Sequence, residues 1–286
     1  MDNNLISYEE VCSLLNSDNL DVNETSKNLV NNPTILKDKV DENYKFIKKG
    51  ILFKFFSYIV YVLVFIILFP ILWLFYMPKV RGKRNLRKVK NAVFVSNHCF
   101  VMDCAILSVY TLPFVRPYII AEKDSFQIPV VKGLIRSLRA VPIPNNLRAY
   151  KKFITSIDNE LTKGKTLLVY PEGSLWPYFA KIRPFKSGAF RFSVKNDVPV
   201  VPIVISFRKP NWLYRFFGRE KPFINVNILE PIYVDKNNSI KVEEERISNL
   251  TYKKMQEEFE KTNSYVYINY KRLEKEKKQK IRQEEI

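Results

Sequence analysis

Histidine, cysteine and glycine are scarce in this chain of 286 residues, which has one His, three Cys and seven Gly. The cysteines, Cys12, Cys99 and Cys104, form no Cys-x-x-Cys pair, so the sequence indicates neither a disulfide framework nor a zinc site. With a single imidazole, a metal site of ordinary ligand number would consist mainly of carboxylates. We therefore expect no metal and no bound cofactor.

No part of the N-terminal region resembles a secretory leader. Residues 1–46 carry nine acidic and four basic residues without an apolar run, whereas a cleaved signal peptide has a basic start and an apolar centre. This extension sums to −5, so the net charge of +18 leaves +23 for residues 47–286. A body this basic favours a polyanionic partner, either nucleic acid or an anionic membrane surface.

Charge is absent from residues 55–77, a run of 23 residues rich in aromatic and aliphatic side chains. At about 1.5 Å per residue, such a helix can cross a hydrocarbon core of about 30 Å. Tyr and Trp near its ends suit a membrane interface, and Pro70 offers a kink. A single span and a hairpin that enters one leaflet remain alternatives.

Basic residues flank the apolar run on both sides and are denser on its C-terminal side. The positive-inside rule then predicts that the larger C-terminal part lies on the cytoplasmic face, and the same cluster can bind anionic lipid headgroups. The flanking residues are Lys45, Lys48, Lys49 and Lys54 before the run, and Lys79, Arg81, Lys83, Arg84, Arg87, Lys88 and Lys90 after it.

Four parts of the chain follow from these patterns. They are a polar N-terminal extension (1–46), a membrane-anchor segment with basic flanks (47–90), a core (91–240) and a C-terminal amphipathic helix with a charged tail (241–286). In the core, short apolar runs alternate with helical periodicity, which predicts an α/β fold with a central mixed sheet flanked by helices. Strands are predicted at 92–96, 117–121, 166–170, 199–206 and 224–229, and helices at 103–110, 147–161 and 243–270.

The only histidine, His98, follows the first predicted strand of the core, and Asp103 comes five residues later. Imidazole titrates near neutral pH, and a histidine oriented by a carboxylate is the usual form of a general base. A second predicted strand runs into Pro171-Glu172-Gly173-Ser174. Ligands of open α/β sheets bind beyond the carboxyl ends of strands, so we expect the two turns to form one site. Gly173 allows close backbone approach and is expected to offer its N–H to an oxyanion.

Ordered blocks across residues 90–210 resemble the glycerolipid acyltransferase family, which includes the lysophosphatidate acyltransferases. The blocks are His98-x4-Asp103, Lys123 to Pro129 with Gly133 and Arg136, Pro171-Glu172-Gly173-Ser174, Pro184-Phe185-Lys186-x-Gly188-Ala189-Phe190, and Val198 to Ile203.

The resemblance implies transfer of an acyl chain from a thioester to the hydroxyl of a lysophospholipid at a membrane. The simplest acceptor is 1-acylglycerol 3-phosphate, with acyl-CoA or acyl-carrier protein as the donor substrate. The implied general base is His98, oriented by Asp103. The implied substrate-binding residues are Glu172, Gly173 and Ser174 in the acceptor pocket, and Arg183, Lys186 and Arg136 as partners of an acceptor phosphate; a structural ion-pair role remains open for each of these cations.

The chain departs from the family pattern at Leu175, where the family usually has an arginine, and at Trp176. Either Arg183 supplies the missing cation, or the acceptor is a different lysolipid or lipid hydroxyl on which Trp176 stacks. Other hypotheses are a membrane-tethered binder without catalysis, a lipid hydrolase that uses the same histidine, and a Cys99 or Cys104 nucleophile. Under the acyltransferase hypothesis we expect no nucleic-acid partner.

Overall fold

The computed structural model describes residues 10–11, 13–14, 20–21, 40–122, 126 and 129–267. The charged tail predicted from residue 271 lies outside the described residues, as do most of the N-terminal extension and most of the block at 123–129.

The uncharged run forms one long helix, α1 (Ile51–Tyr76), of 26 residues. Pro70 lies inside the helix, and only Ser57 and Leu72 among its residues are buried. By length and composition, α1 is the one helix of the described ranges that could cross a membrane.

Seven strands of the described residues form one sheet in the order β1-β7-β6-β2-β5-β3-β4. All neighbouring pairs are parallel except β6 and β7, which are antiparallel. The structure thus confirms the predicted α/β fold with a central mixed sheet. The strands are β1 (Lys79–Arg81), β2 (Val93–Ser96), β3 (Tyr118–Ala121), β4 (Ala140–Pro142), β5 (Leu167–Val169), β6 (Val200–Arg208) and β7 (Phe223–Ile228).

Helices cover both faces of this sheet. Since successive strand residues point to opposite sides, each strand contributes side chains to both layers. On one face, Val93 and Val95 of β2 belong to a core with α4, α5 and α7. On the other face, Phe94 packs with α1 and α2. The remaining helices are α2 (Asp103–Ile106, continued by a π turn at Leu107–Thr111), α3 (Pro129–Ser137), α4 (Leu147–Leu161), α5 (Arg191–Asn196), α6 (Trp212–Phe216) and α7 (Ile240–Thr262).

Two boundaries differ from the predicted ones. The sheet already includes β1, which the sequence division left in the anchor segment, because β1 pairs with β7 over three residues. The C-terminal helix ends at Thr262 rather than near residue 270. After Thr262 the chain bonds to the end of β6: the Phe207 N–H donates to Asn263 Oδ1 at 2.9 Å, and the Ser264 N–H donates to the Phe207 carbonyl.

Candidate active site

A buried asparagine sets the turn that carries His98. Asn97 follows β2 directly, and its side chain pairs with the backbone of Ile205 in β6 through two hydrogen bonds of 2.8 and 2.9 Å. An amide side chain offers the same donor and acceptor as a peptide group, so Asn97 extends the pairing of β2 with β6 by one step. This role was not predicted from the sequence, although an amide directly after a buried strand was the available signal.

His98 and Asp103 lie in direct contact at the carboxyl end of β2. His98 Nδ1 is 2.6 Å from Asp103 Oδ2, and the His98 side chain is 24% exposed whereas that of Asp103 is 1% exposed. The second carboxylate oxygen of Asp103 accepts the Cys104 N–H at 2.6 Å. With Nδ1 donating to Asp103, Nε2 is the ring nitrogen that can accept a proton from a ligand.

Tyr170 forms the wall behind the imidazole. The rings of His98 and Tyr170 stack with their centroids 4.4 Å apart and their planes inclined by 26°. The Tyr170 hydroxyl lies 3.2 Å from Cys104 Sγ, and burial together with the nearby Asp103 carboxylate raises the pKa of Tyr170 well above its usual range. Tyr170 therefore stays a neutral phenol. Tyr170 was not among the predicted site residues, although it directly precedes Pro171-Glu172-Gly173.

Glu172 joins three segments of the site. One carboxylate oxygen accepts the His98 N–H at 3.1 Å, and the other accepts the Arg183 N–H at 3.1 Å. The Arg183 guanidinium pairs with the same carboxylate, with Nη2 2.7 Å and Nε 3.1 Å from Oε2. Both side chains are 1% exposed. Because β2 and β5 are parallel neighbours, the turns after them meet at one edge, as predicted.

The hydrogen-bonding groups of Arg183 face the protein rather than a ligand. Nη1 donates to Ser174 Oγ at 2.9 Å, Nη2 also donates to the Ser174 carbonyl, and the guanidinium stacks 4.6 Å from the Trp176 ring centroid. Ser174 and Trp176 are themselves buried. The alternative in which Trp176 stacks on an acceptor does not fit this structure, because the Trp176 ring is buried against the Arg183 guanidinium and the Phe179 ring.

Gly173 lies at the turn, but its N–H is not available to an oxyanion as expected, because it donates to the Tyr170 carbonyl at 3.2 Å. Its φ of +84° is a conformation that suits glycine. The exposed side chain of Lys186 crosses directly over it: a Cβ at Gly173 would lie 2.9 Å from Lys186 Nζ. Lys186 thus brings an ammonium group to the mouth of the site.

Arg136 is not brought to this site. It lies near the end of α3, four residues before β4, so it belongs to the amino edge of the parallel strands, whereas His98 belongs to the carboxyl edge. Its guanidinium donates to the Lys45 carbonyl and stacks over Tyr44 at 4.8 Å. Arg136 belongs to a sequence block that resembles the family, but its position in that block does not indicate which edge of the sheet it occupies.

The two cysteines beside the motif are poor nucleophiles. Burial raises the pKa of Cys99 well above its usual range, and the Glu172 and Asp103 carboxylates raise it further. Burial and Asp103 raise the pKa of Cys104 in the same direction. Since the thiolate is the reactive form, this environment opposes the cysteine hypothesis. In the described part of the chain, no group of three His, Cys, Asp or Glu side chains is placed to hold a metal ion.

Comparison with known proteins gives a family likeness for this domain. Residues 77–206 match the family model described as Acyltransferase, so this part of the chain is similar to that family.

Curated relatives carry more specific names. The chain is 30% identical over 162 residues to human 1-acyl-sn-glycerol-3-phosphate acyltransferase beta, covering 54% of this chain and 55% of that protein. It is 30% identical over 135 residues to the chloroplastic 1-acyl-sn-glycerol-3-phosphate acyltransferase BAT2 of Brassica napus, covering 46% of this chain and 38% of the relative. The matches thus span about half or less of the length of these relatives. The crystal structure of PlsC, the 1-acyl-sn-glycerophosphate acyltransferase of Thermotoga maritima, aligns with 25% identity and a TM-score of 0.46 over 72% of this chain and 78% of that one.

Proposed function

We propose that this protein transfers a fatty acyl chain from an acyl thioester to the hydroxyl of a lysophospholipid, most simply 1-acylglycerol 3-phosphate. The observation that carries the proposal is the 2.6 Å contact between His98 and Asp103 at the carboxyl edge of the sheet. The names of the curated relatives support the reaction class and the acceptor.

The chemistry follows from an imidazole held by a buried carboxylate. His98 Nε2 takes the proton of the acceptor hydroxyl while its oxygen attacks the thioester carbonyl carbon. Asp103 holds the tautomer that leaves Nε2 unprotonated and stabilises the imidazolium that forms. When the tetrahedral intermediate collapses, the C–S bond breaks and the imidazolium returns the proton to the leaving thiolate. The acyl group passes directly to the acceptor oxygen, so no acyl-enzyme is formed.

Lys186 is our candidate partner for the acceptor phosphate. Its exposed ammonium lies over Gly173, beside the turn that Glu172 ties to His98. Arg183 instead stabilises this turn from its buried side, because its guanidinium donates hydrogen bonds to Glu172 and Ser174. Leu175 leaves the mouth of the site less basic than the family pattern, so another lysolipid or lipid hydroxyl is the alternative acceptor.

Membrane association accompanies this proposal, since both acceptor and product are lipids and α1 exposes apolar side chains along most of its length. The basic segment after α1 favours a catalytic domain on the cytoplasmic face, where acyl-CoA and acyl-carrier protein occur.

The proposal is tested with the purified full chain in detergent. Labelled acyl-CoA and acyl-carrier protein are each offered with a panel of lysolipids, and acylated lipid and free fatty acid are quantified. We expect acylation of lysophosphatidate by the wild type, and a loss of about 10²- to 10⁴-fold in kcat for Asp103→Asn, with a larger loss for His98→Ala.

Asp158→Asn is the matched control, because Asp158 is also a buried carboxylate but pairs with Lys195 and Asn196 away from the site. Near-normal turnover of His98→Ala would refute the mechanism. Release of free fatty acid without acceptor dependence would replace transfer by hydrolysis, and His98-dependent acylation of another lysolipid alone would reassign the acceptor.

A further inference from the structure

A second polar cavity lies at the amino edge of the sheet, remote from His98. It has a volume of about 400 Å³ and is lined by eight basic residues and a single acidic one. Arg116, Arg139 and Lys165 each precede a parallel strand, whereas His98 and Glu172 follow one. Strands rise about 3.3 Å per residue, so three- and four-residue strands keep the two edges about 10 Å or more apart. We call this cavity the basic pocket.

Among the described residues that line the pocket, positive charge far exceeds negative charge. The one lining carboxylate, Glu160, is already bonded to Lys163 at 2.9 Å and to the Tyr118 hydroxyl at 3.2 Å. Within the described residues, neither Arg116 nor Arg139 forms an ion pair with a carboxylate. A concave surface with this excess of cations concentrates positive potential and attracts anions.

Two arginines are held there in an unusual backbone conformation. Arg116 and Arg139 both have positive φ, at +46° and +67°. Non-glycine residues rarely adopt this region, and the surrounding structure must hold them in it. Here Arg139 Nη1 donates to the Arg116 carbonyl at 2.6 Å, while Arg116 Nη2 donates to the Ser57 carbonyl and hydroxyl at 3.1 and 3.0 Å. Each guanidinium is thereby held in place by hydrogen bonds to the protein.

The cations of the pocket are partly buried and repel one another. Burial lowers the pKa of Lys48, and the positive charges of Arg136 and Lys132 lower it further. Burial and Arg139 likewise lower the pKa of Arg116. A bound phosphate would relieve the repulsion among these cations.

We propose that the basic pocket binds the phosphate of an anionic phospholipid headgroup, at a site separate from the one that carries the reaction. The pocket is continuous with α1, since Phe53, Lys54, Ser57 and Tyr58 contribute to its lining. The exposed apolar side chains that adjoin these residues on α1, Ile51, Leu52, Phe55 and Phe56, are 60–85% exposed. A lipid whose phosphate sits in the pocket can lay its acyl chains along these residues. This adjacency favours a membrane lipid over a soluble phosphate.

The test measures how strongly the full chain prefers vesicles of phosphatidylcholine containing phosphatidylglycerol over vesicles of phosphatidylcholine alone. Each cation near an anionic surface is worth about fivefold in partitioning, so R139Q/K165Q should lose about 25-fold of the preference. K241Q/K253Q, which removes the same charge from exposed positions of α7, is the matched control and should lose far less. K54Q/K165Q provides a second pocket variant in which both changed side chains are exposed. Thermal unfolding in detergent checks that each variant is folded.

A parallel arm separates the two sources of phosphate. Inorganic phosphate at constant ionic strength should not raise the Tm of the wild type relative to that of R139Q/K165Q. Suppose that phosphate raises the Tm of the wild type in this way, and that both pocket variants keep the same vesicle preference as K241Q/K253Q. The pocket then binds a soluble anion, and the lipid proposal is overturned. Equal losses in pocket and control variants would also overturn it, because surface charge in general would then explain the preference. None of these readouts depends on acyl transfer.

Discussion

Arg183 and Lys186 are three residues apart, yet their burial gives them different tasks. The Arg183 side chain is 1% exposed and paired with Glu172, whereas Lys186 is exposed above Gly173. Removing one partner of a buried ion pair leaves an uncompensated charge, while an exposed ammonium can meet a ligand without disturbing the fold. The two residues therefore allow a separation of structural from substrate-binding effects.

We expect Arg183→Ala to lower the free energy of unfolding by about 3–5 kcal/mol, because Glu172 would remain buried and unpaired. Arg183→Lys should recover only part of this loss, since an ammonium cannot reproduce the two-pronged contact with Glu172 and Ser174. Lys186→Gln should leave stability unchanged and raise the KM for a phosphate-bearing acceptor by about tenfold, with a smaller effect on kcat. Urea unfolding and steady-state kinetics measure the two effects.

A stable Arg183→Ala protein with a raised acceptor KM would instead return the phosphate role to Arg183. Lys181→Gln is the control for Lys186, because it removes the same charge from the same loop.

Local pattern predicted the contact between His98 and Asp103 better than it predicted the surroundings of that pair. The contact between His98 and Asp103 depends only on the short turn after β2, in which the Asp103 N–H donates to the Phe100 carbonyl at 3.0 Å. The pairing of Arg183 with Glu172 spans 11 residues, and the stacking of Tyr170 on His98 spans 72, so both depend on how strands adjoin. The position of Arg136 depends on the crossover between β3 and β4, which residue type alone does not reveal.

At the scale of elements, buried strands were predictable because parallel strands covered on both faces read as continuous apolar runs. Eight of the nine residues of β6 are buried, and its predicted range agrees within two residues at its ends. β1 and β4 were missed because each has only three residues and lies at an edge of the sheet, where the pattern is too short to detect; two of the three residues of β1 are also basic. The end of α7 was missed because its stop comes from tertiary hydrogen bonds of Asn263 and Ser264 rather than from a glycine or proline.

The first turn of α7 is fastened by one buried carboxylate. Glu243 accepts hydrogen bonds from the Arg246 side chain, from the Asp235 N–H at 2.8 Å and from Asn238 Nδ2 at 2.8 Å. These bonds, with Arg246 the largest contributor, outweigh the effect of burial and lower the pKa of Glu243 to about 2. Since the folded pKa lies below the ordinary value of 4.5, Glu243 stabilises the fold above about pH 4.5, and this stabilisation is lost as the pH falls towards 2.

We expect the contribution that disappears between pH 5 and pH 2 to be on the order of 3 kcal/mol. Glu243→Gln should lower the free energy of unfolding at pH 7 and make it less dependent on pH over this interval. Glu245→Gln, an exposed change of the same charge, serves as the control. Unfolding by urea at several pH values measures both, and an unchanged acid dependence in Glu243→Gln would contradict the assignment.

At the scale of the whole molecule, α1 is docked along its length rather than projecting from the domain. Near its start, Ser57 bonds to Arg116; in its middle, Phe69 stacks on the Tyr110 ring at 4.8 Å; and at its end, Tyr76 contacts Phe100 at 4.8 Å. The carbonyls of its last turn have no partners within the helix. Two of them, Leu74 and Phe75, accept hydrogen bonds from Tyr214 and Arg219 of the domain.

This docking favours insertion into one leaflet over a single span. The segment that inserts is one continuous helix that includes Pro70, rather than the hairpin kinked near Pro70 that the sequence also allowed. A helix of 26 residues is about 39 Å long, and a lone span of that length would draw the attached charged domain into the hydrocarbon. Basic residues flank both ends of α1, and this favours an arrangement in which both ends lie on the same side of the membrane. We therefore expect α1 to lie in one leaflet, with both ends on the same face as the catalytic domain.

Single cysteines in a background with Cys12, Cys99 and Cys104 replaced test this arrangement in reconstituted vesicles. Lys49→Cys and Lys83→Cys report the two ends of α1, and Lys241→Cys reports the domain. In one-leaflet insertion, all three positions should react to the same extent with a membrane-impermeant maleimide added outside, and to completion after detergent is added. A single span would instead protect Lys49→Cys wherever Lys83→Cys and Lys241→Cys are labelled, because only the latter two would share a side. Equal labelling would also place the basic pocket and His98 on the same membrane surface, as simultaneous contact with lipid headgroups and lipid acceptor requires.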